Sequence, residues 1–518
     1  MGRLHAPSSW LLGLAMLALI VLCVRMNGTF FHDDAFITLR YARHLREGLG
    51  PIWNRQGPRV EGFTSPLHMM LVSAVSATRI PMPMVARIVN VTSHLALLLF
   101  IFLHLKRRVG AAGAQLGVTL VAASWIFLVW DLGGLEAVLY AALVTMGVLI
   151  ATDALRFDGP RRRQALILGS FILTIATLAR PEGSLLLAGS MLLIVIAPRM
   201  PRSEKLKTLA WAVGLAALVL VPVEVFRVIY FHQIAPNTMY AKIGGISHRA
   251  LFILGLRYLK HFALAPPYLV FLTLAAGIYS FGKKTLAFGD AMIWMFVGIS
   301  ALFIMVSGGD HMYAYRFCLP TYSLLAVLLV LHLAHNGLLN RPLSRSVVFA
   351  GVALVLLLQA FPPGLNPKNS DVTTSRGRAV GLYIQSHWRP GSVVALGTAG
   401  STPFYADNMQ YIDTLGLNDT EIAHRKNIPE NGPWTHLVGH LKGDGASVLR
   451  RRPDYMILGP VDGTTPELQE RVYFIGDYEI GTSPILKQEY QPCMVPLSDE
   501  KGPFMLTYFK HDLTHPCP

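Results

Sequence analysis

Charge is scarce in this chain. Asp, Glu, Lys and Arg supply 14% of its 518 residues, against roughly 25% in ordinary soluble domains. A solvated globule of ordinary composition is thereby excluded. Cysteine is scarce as well. There are four, and no CxxC or His/Cys cluster has metal-ligand spacing, which argues against a cysteine-built metal centre. Internal repeats and low-complexity tracts are lacking too. Acids are outnumbered by bases, 30 to 45, for a net charge of +15. Such a balance can signal a nucleic-acid partner, but here the Lys and Arg residues gather in short connections between apolar runs. That is the pattern of cytoplasmic loops between membrane helices, so no nucleic acid is expected.

Apolar residues are abundant, at 53% of the chain. Many runs approach ~20 residues, enough to cross a ~30 Å hydrocarbon slab as a helix. The first covers about 10–26. It has Arg3 before it and no small-x-small cleavage site after it, so it reads as an uncleaved first helix. The next covers about 85–105 and ends in "KRR" (Lys106 to Arg108). Further runs fall at about 112–130, 135–152, 164–179, 184–198, 207–230, 265–281, 287–306, 318–335 and 346–362. The sequence therefore predicts a polytopic α-helical membrane protein of about eleven crossings.

One apolar stretch, "SPLHMMLVSAVSA" from Ser65, is short and reads as interfacial. The basic loops support that reading. "RFDGPRRR" from Arg156, "RMPRSEKLK" from Arg199, Lys283 with Lys284, and "RPLSR" from Arg341 all fall inside when the N-terminus is inside and this stretch does not cross. The first extracytoplasmic loop is then 27–84. The same count puts "DLGGLEAVLY", "ARPEG", "FHQIAPNTMYAK" and "SGGDHMYAYRF" outside. These loops mix acids, Arg, His and aromatics, more than connection alone needs, and so read as a site.

After about Pro363 the composition shifts. "SVVALG", "PDYMILG" and "FMLTYFK" are β-like runs among Gly, Pro and Asp turns. The membrane domain is expected at 1–362 and a soluble α/β domain at 363–518. An odd number of crossings places that domain outside the cytoplasm. Cys493 and Cys517 lie in it, and a disulfide between them requires such an oxidising compartment. Cys23 and Cys318 sit in or beside apolar runs.

Directly after the first apolar run stands "FFHDDAFITLRYARHLREGLG". If the segment is helical, Asp33, Ile37 and Arg40 share one face, and Asp34, Thr38 and Tyr41 a neighbouring face about 100° away. Two close acids repel, which raises one pKa and eases proton transfer near neutral pH. Both acids equally suit a helix end in water. Their company weighs against that. The pattern DDAxIxxRYAxxLxxGxGxxxNxxGxxVEGFTSPL resembles the first extracytoplasmic loop of the polyprenyl-phosphate-sugar-dependent glycosyltransferases of the GT-C superfamily. Within that class it is most similar to the terminal β-(1→2)-arabinofuranosyltransferases. "GGLEAVLYAAL" from Gly133, "LARPEG" from Leu178, "APNTMYAK" from Ala235, "GGDHMYAYRFCLP" from Gly308, "IDTLGLND" from Ile412 and "GHLKGDGASVLRRRPDYMIL" from Gly439 resemble further family motifs, in order.

The resemblance implies a GT-C fold and a polyprenyl-phosphate sugar as donor. It implies an inverting transfer to an envelope glycan or surface protein, outside a bacterial plasma membrane. Asp33 is then the expected general base, with Asp34 as close second or as the group that positions acceptor or metal. Arg40, Arg180, Lys242, His311 and Arg316 are candidates for the departing phosphate. Structural alternatives stand beside them. Arg180 can pair with Glu182, Arg316 can partner Asp310, and Lys242 can snorkel at a helix end. Glu136, Glu182, Asn237, Asp310 and Tyr405 are candidates for acceptor or sugar, although Glu136 and Asp310 can also cap helix dipoles. Tyr405, Asp413 and Asn418 suit either sugar binding or turns. His32 beside Asp33 and Asp34, like His232 and His311, raises a divalent metal as a cofactor that some relatives use and others do not. Other lipid-linked sugars, mannose or aminoarabinose onto lipid A, are the alternative substrates. A lipid-linked-sugar flippase is disfavoured, because carriers place polar residues near the midplane and often repeat their halves.

Overall fold

The computed structural model describes residues 28–244, 246–357, 372–429, 431–434, 437, 439–459, 474–497 and 504–511, with four positions before them. The chain forms two compact units. Among the described residues, the first takes in those up to Phe30, Ala86–Val223 and the segment from Leu251 to 357. The second takes in Phe31–Val85, Glu224–Ala250 and the residues from 372 onward.

The first unit is helical. Among the described residues, six helices are long and apolar enough to cross a membrane, and a seventh is added if His248–Leu264 and Leu269–Gly282, bent by 81° at their junction, form one broken span. Every expected run after the first falls on a helix. The first, 10–26, lies outside the described residues. The runs at 85–105 and 112–130 share one long stretch, Met82–Ala122, with a break at Gly110 (φ 83°, ψ −179°). Only glycine adopts that conformation without strain. The second of these runs continues in Trp125–Leu132. Gly183–Ile196 and Pro342–Leu357 are shorter apolar helices.

The burial pattern agrees with a lipid surround. From Leu319 to His332 every residue is buried, so the helix Leu319–His335 is central. By contrast Leu95 and Leu99 are each 60% exposed, Leu218 72% and Leu343 79%. In water such apolar surface is costly; in hydrocarbon it is not.

The second unit holds a mixed sheet of five strands: β1 (Val393–Leu396), β2 (Gln410–Asp413), β3 (Tyr455–Ile457), β4 (Tyr490–Pro496) and β5 (Phe504–Lys510). Their order is β2-β1-β3-β5-β4. β1 pairs parallel with β2 and β3, while β5 runs antiparallel to both β3 and β4. Ala395, Ile412 and Met456 of the parallel strands pack with Ile422, Val448, Leu449, Ile480 and Leu486 from the surrounding helices. The α/β character expected of the C-terminal region is what the sheet and its surrounding helices have.

Two segments expected in the first loop are helices of this same unit. Asp33–Arg46 starts at His32, whose Nδ1 accepts from the Asp34 amide at 3.2 Å. Acids fill its first turn and Arg43, His44 and Arg46 its last, matching the helix dipole at both ends. Pro66–Ser76 starts at Ser65, whose hydroxyl accepts from the His68 amide at 3.2 Å, with proline at the first helical position. Its 11 residues span about 16 Å at 1.5 Å each, half a hydrocarbon slab.

Candidate functional site

In the second unit the acid pair opens the helix Asp33–Arg46. Asp33 is 7% exposed and Asp34 half-buried. The Asp33 carboxylate accepts from the Gly400 amide at 3.2 Å and the Ser401 amide at 2.8 Å. It accepts from the Ser401 hydroxyl at 2.5 Å as well. Neither partner was among the candidates that the sequence suggested. The signal was present in "GTAGSTPF", whose glycine and serine make a backbone cradle for an anion.

Arg40, two turns along the helix, is fully buried. Its Nε donates to the Trp53 carbonyl at 2.6 Å, and one Nη donates to the Pro403 carbonyl. The same Nη lies 3.2 Å from Asp407. Asp407 also meets His44 Nε2 at 2.9 Å and Arg55 at 2.6 Å. These hydrogen bonds and charges hold the Asp407 carboxyl well below its usual range against the opposing cost of burial. Arg40 is thus bound inside an ion-pair hub.

Asn237 is also buried and faces protein. Its amide donates to the carbonyls of Gly416 and Leu417 at 2.8 and 2.9 Å. Those carbonyls belong to the "IDTLGLND" turn. Asp413 in that turn accepts from the amides of Leu415 and Asn418 at 3.0 and 2.8 Å and from the Asn418 side chain at 2.9 Å. Burial nonetheless pushes the Asp413 carboxyl up to about 6. Asn418 in turn meets the Tyr41 hydroxyl at 3.0 Å. Asp413 and Asn418 are therefore turn residues. They fix the loop carrying Val60 and Gly62, which Tyr41 also holds at 2.7 and 3.0 Å. Glu61 between them pairs with Arg227 at 2.6 Å. Tyr405 is half-buried, with Phe36 and Phe404 at 5.6 and 5.2 Å and the Arg378 guanidinium over its ring at 5.4 Å. Lys242 is half-buried on the short helix Asn237–Ile243. Cys493, on β4, is disulfide-bonded. Its expected partner Cys517 lies outside the described residues.

The first unit brings together two further groups. Arg180 lies between two acids, 2.7 Å from Glu136 and also paired with Glu182, and its guanidinium covers the Phe317 ring at 4.4 Å. Asp310 and Arg316 pair at 2.5 Å, with His311 3.6 Å from the same carboxylate. Arg316 lies over Trp130 and Phe317 at 5.9 and 5.2 Å. This segment is shaped by left-handed backbone at Gly308, Gly309, Ala314 and Tyr315. The Trp130 indole donates to the Ala314 carbonyl at 3.1 Å, which helps hold the strained turn in place.

One trio among the described residues brings ligand atoms within 4.8 Å of one another: His44, Glu47 and Asp407. Arg55 already bridges its two carboxylates at 2.8 and 2.6 Å, so these acids are neutralised by guanidinium and do not suit a cation. His32, Asp33 and Asp34 form no such trio, and the Asp33 oxygens are taken by Gly400 and Ser401.

Residues 369–495 match a family described as a domain of unknown function, DUF8728. No curated protein matches the chain. Solved structures do. ArnT from Cupriavidus metallidurans bound to undecaprenyl phosphate is similar with a TM-score of 0.55 at 13% identity, over 78% of this chain and 86% of that one. The apo oligosaccharyltransferase from Archaeoglobus fulgidus has a TM-score of 0.55 at 11% identity, over 99% of this chain and 76% of that one. The same archaeal enzyme in complex with Zn and sulfate has a TM-score of 0.55 at 12% identity, over 95% and 72%. The fold of this chain is similar to that of these solved structures.

Proposed function

We propose that this chain is an integral membrane glycosyltransferase. It takes a sugar from a polyprenyl-phosphate donor and passes it, with inversion, to a glycan or surface protein outside a bacterial plasma membrane. The observation that carries the reading is the acid pair at the start of the helix Asp33–Arg46, in a chain sharing its fold with a structure that holds undecaprenyl phosphate. The motif resemblance narrows the sugar to D-arabinofuranose.

The chemistry follows from those groups. An acceptor hydroxyl attacks the anomeric carbon as a carboxylate of the pair removes its proton. The bond from that carbon to the phosphate oxygen breaks, and its electrons leave with the polyprenyl phosphate. Growing negative charge on that phosphate calls for cations. By resemblance Arg40, Arg180, Lys242, His311 and Arg316 are the candidates for that role; Arg40, Arg180 and Arg316 are each also paired with acids.

The test is the double variant Asp33→Asn/Asp34→Asn. It should insert in membranes and bind donor normally while transferring nothing. Transfer within a fewfold of wild type would refute the assignment. A flippase would instead move donor across vesicles with no acceptor modified, and this variant would leave that movement intact.

A further inference from the structure

The helix Met82–Ala122 carries Arg87, Asn90 and His94 at spacing i, i+3 and i+7, which puts all three on one face. That face grips the stretch from Trp130 to Leu135 repeatedly. Arg87 Nε donates to the Leu132 carbonyl at 3.1 Å. The Asn90 amide donates to the carbonyls of Trp130 and Leu135 at 3.0 and 2.8 Å. His94 Nδ1 meets the Asp131 carboxylate at 2.8 Å. Asn90 is fully buried, and a buried amide in an apolar helix is tolerated where it hydrogen-bonds to a neighbouring element. The gripped stretch has little freedom of its own. It turns at Gly134, with φ at 80°. A Cβ at Gly133 would lie 2.7 Å from the Trp130 ring and 2.9 Å from the Phe30 ring. At its two ends stand groups that face arginines. Trp130 lies beneath the Arg316 guanidinium at 5.9 Å, and its indole holds the Ala314 carbonyl just before that arginine. Glu136, directly after Leu135, pairs with Arg180 at 2.7 Å. The Phe317 ring meets both guanidiniums, Arg180 at 4.4 Å and Arg316 at 5.2 Å, so the two arginines belong to one assembly.

We infer that Asn90 is a positioning residue for the donor's phosphate. Its single amide ties the Trp130 end of the turn to the Glu136 end. It thereby sets Arg316, through Trp130, and Arg180, through Glu136, relative to one another. Two guanidiniums bind one phosphate well only when their spacing is fixed beforehand, since ordering them on binding costs affinity. This rests on the glycosyltransferase reading above, in which both arginines are candidates for the departing phosphate. The sequence hid the device because Asn90 falls inside an apolar run and its partners are backbone carbonyls 40 and 45 residues away.

Asn90→Leu and Asn90→Ser both remove the bridge between the two carbonyls. Both are neutral, so neither changes the field at the phosphate. They are made in the full-length protein, and binding of undecaprenyl phosphate is measured per folded molecule, beside the transfer kinetics. Each should weaken undecaprenyl phosphate about tenfold, equal to about 1.4 kcal/mol. Donor KM should rise in step, with acceptor KM close to wild type. Variants that melt early yet bind undecaprenyl phosphate as tightly as wild type per folded molecule would overturn the inference. Donor and acceptor KM rising equally would overturn it too. Arg180→Gln and Arg316→Gln separate the inference from the reading beneath it. If either weakens undecaprenyl phosphate while both Asn90 variants bind it normally, the inference alone falls. If neither weakens it, the assignment of these arginines to the phosphate falls, and the inference with it.

Discussion

Consider Asp407→Asn. The Arg40 side chain is fully buried, and Asp407, 16% exposed, faces it at 3.2 Å. The same carboxylate meets His44 and Arg55 at 2.9 and 2.6 Å. Asparagine keeps the shape and removes the charge. Arg40 is then a buried cation that has lost this carboxylate and keeps the Trp53 and Pro403 carbonyls and the Trp53 and Tyr411 rings. Breaking a buried pair from one side costs about 3–5 kcal/mol. At roughly 2–4 °C per kcal/mol for a unit of this size, Tm should fall by about 10 °C. The sign of the pH dependence follows from the low Asp407 pKa. A carboxyl held below its usual value contributes stability that is present in full above about pH 4 and lost as pH falls toward the folded value. The variant should therefore melt early at pH 7 and lose less than wild type on acidification from pH 5 to pH 3. Thermal unfolding in detergent, followed by tryptophan fluorescence, reads both effects, and Trp53 reports locally from 5.7 Å. A variant that melts within 2 °C of wild type at pH 7, or that is equally acid-sensitive, would refute this account of the hub.

Other substitutions probe the same physics elsewhere. Asp477 has the opposite sign. Burial pushes its carboxyl up to about 7, and its Oδ1 has no hydrogen-bond partner. Its ionisation should cost stability increasingly as pH rises from about 4 through 7, up to about 4 kcal/mol. Asp477→Asn should raise Tm strongly at pH 8 and only slightly at pH 4. An equal shift at pH 4 and pH 8 would contradict this. Asn237→Ala strips two buried carbonyls of their donor and should cost about 1–3 kcal/mol, read as a lower melting midpoint. Arg180→Met leaves Glu136 and Glu182, 3% and 9% exposed, without their cation. It should destabilise by about 3–5 kcal/mol, and Glu136→Gln in the same chain should restore part of that loss.

The sequence disclosed the helical membrane architecture because apolar length is a local signal, legible one run at a time. The break at Gly110 and the sharp bend after Leu264 were not legible, since each is a local backbone event inside an apolar stretch. In the sheet of the second unit β1, β3 and β5 stood out as β-branched or aromatic runs. β2 did not, because "QYID" is four residues long and its strand state comes from pairing beside β1. β4 was hidden by two prolines, which its place at the sheet edge tolerates. The acid pair was legible in the same way. What holds Asp33 was not, because Ser401 lies 368 residues away in sequence. Arg40 illustrates the limit from the other side. Helical spacing puts it on the Asp33 face, yet its partner is Asp407. A buried guanidinium takes the nearest carboxylate that folding supplies, and sequence spacing does not disclose which one that is.

The most direct measurement is a transfer assay with purified protein and a panel of radiolabelled polyprenyl-phosphate sugars: arabinofuranose, mannose and aminoarabinose. The account predicts labelled product from the arabinofuranose donor, lost in the double variant Asp33→Asn/Asp34→Asn. Product from mannose or aminoarabinose alone would contradict the choice of sugar. No product from any donor, with all three carried intact across the membrane, would contradict the enzyme itself.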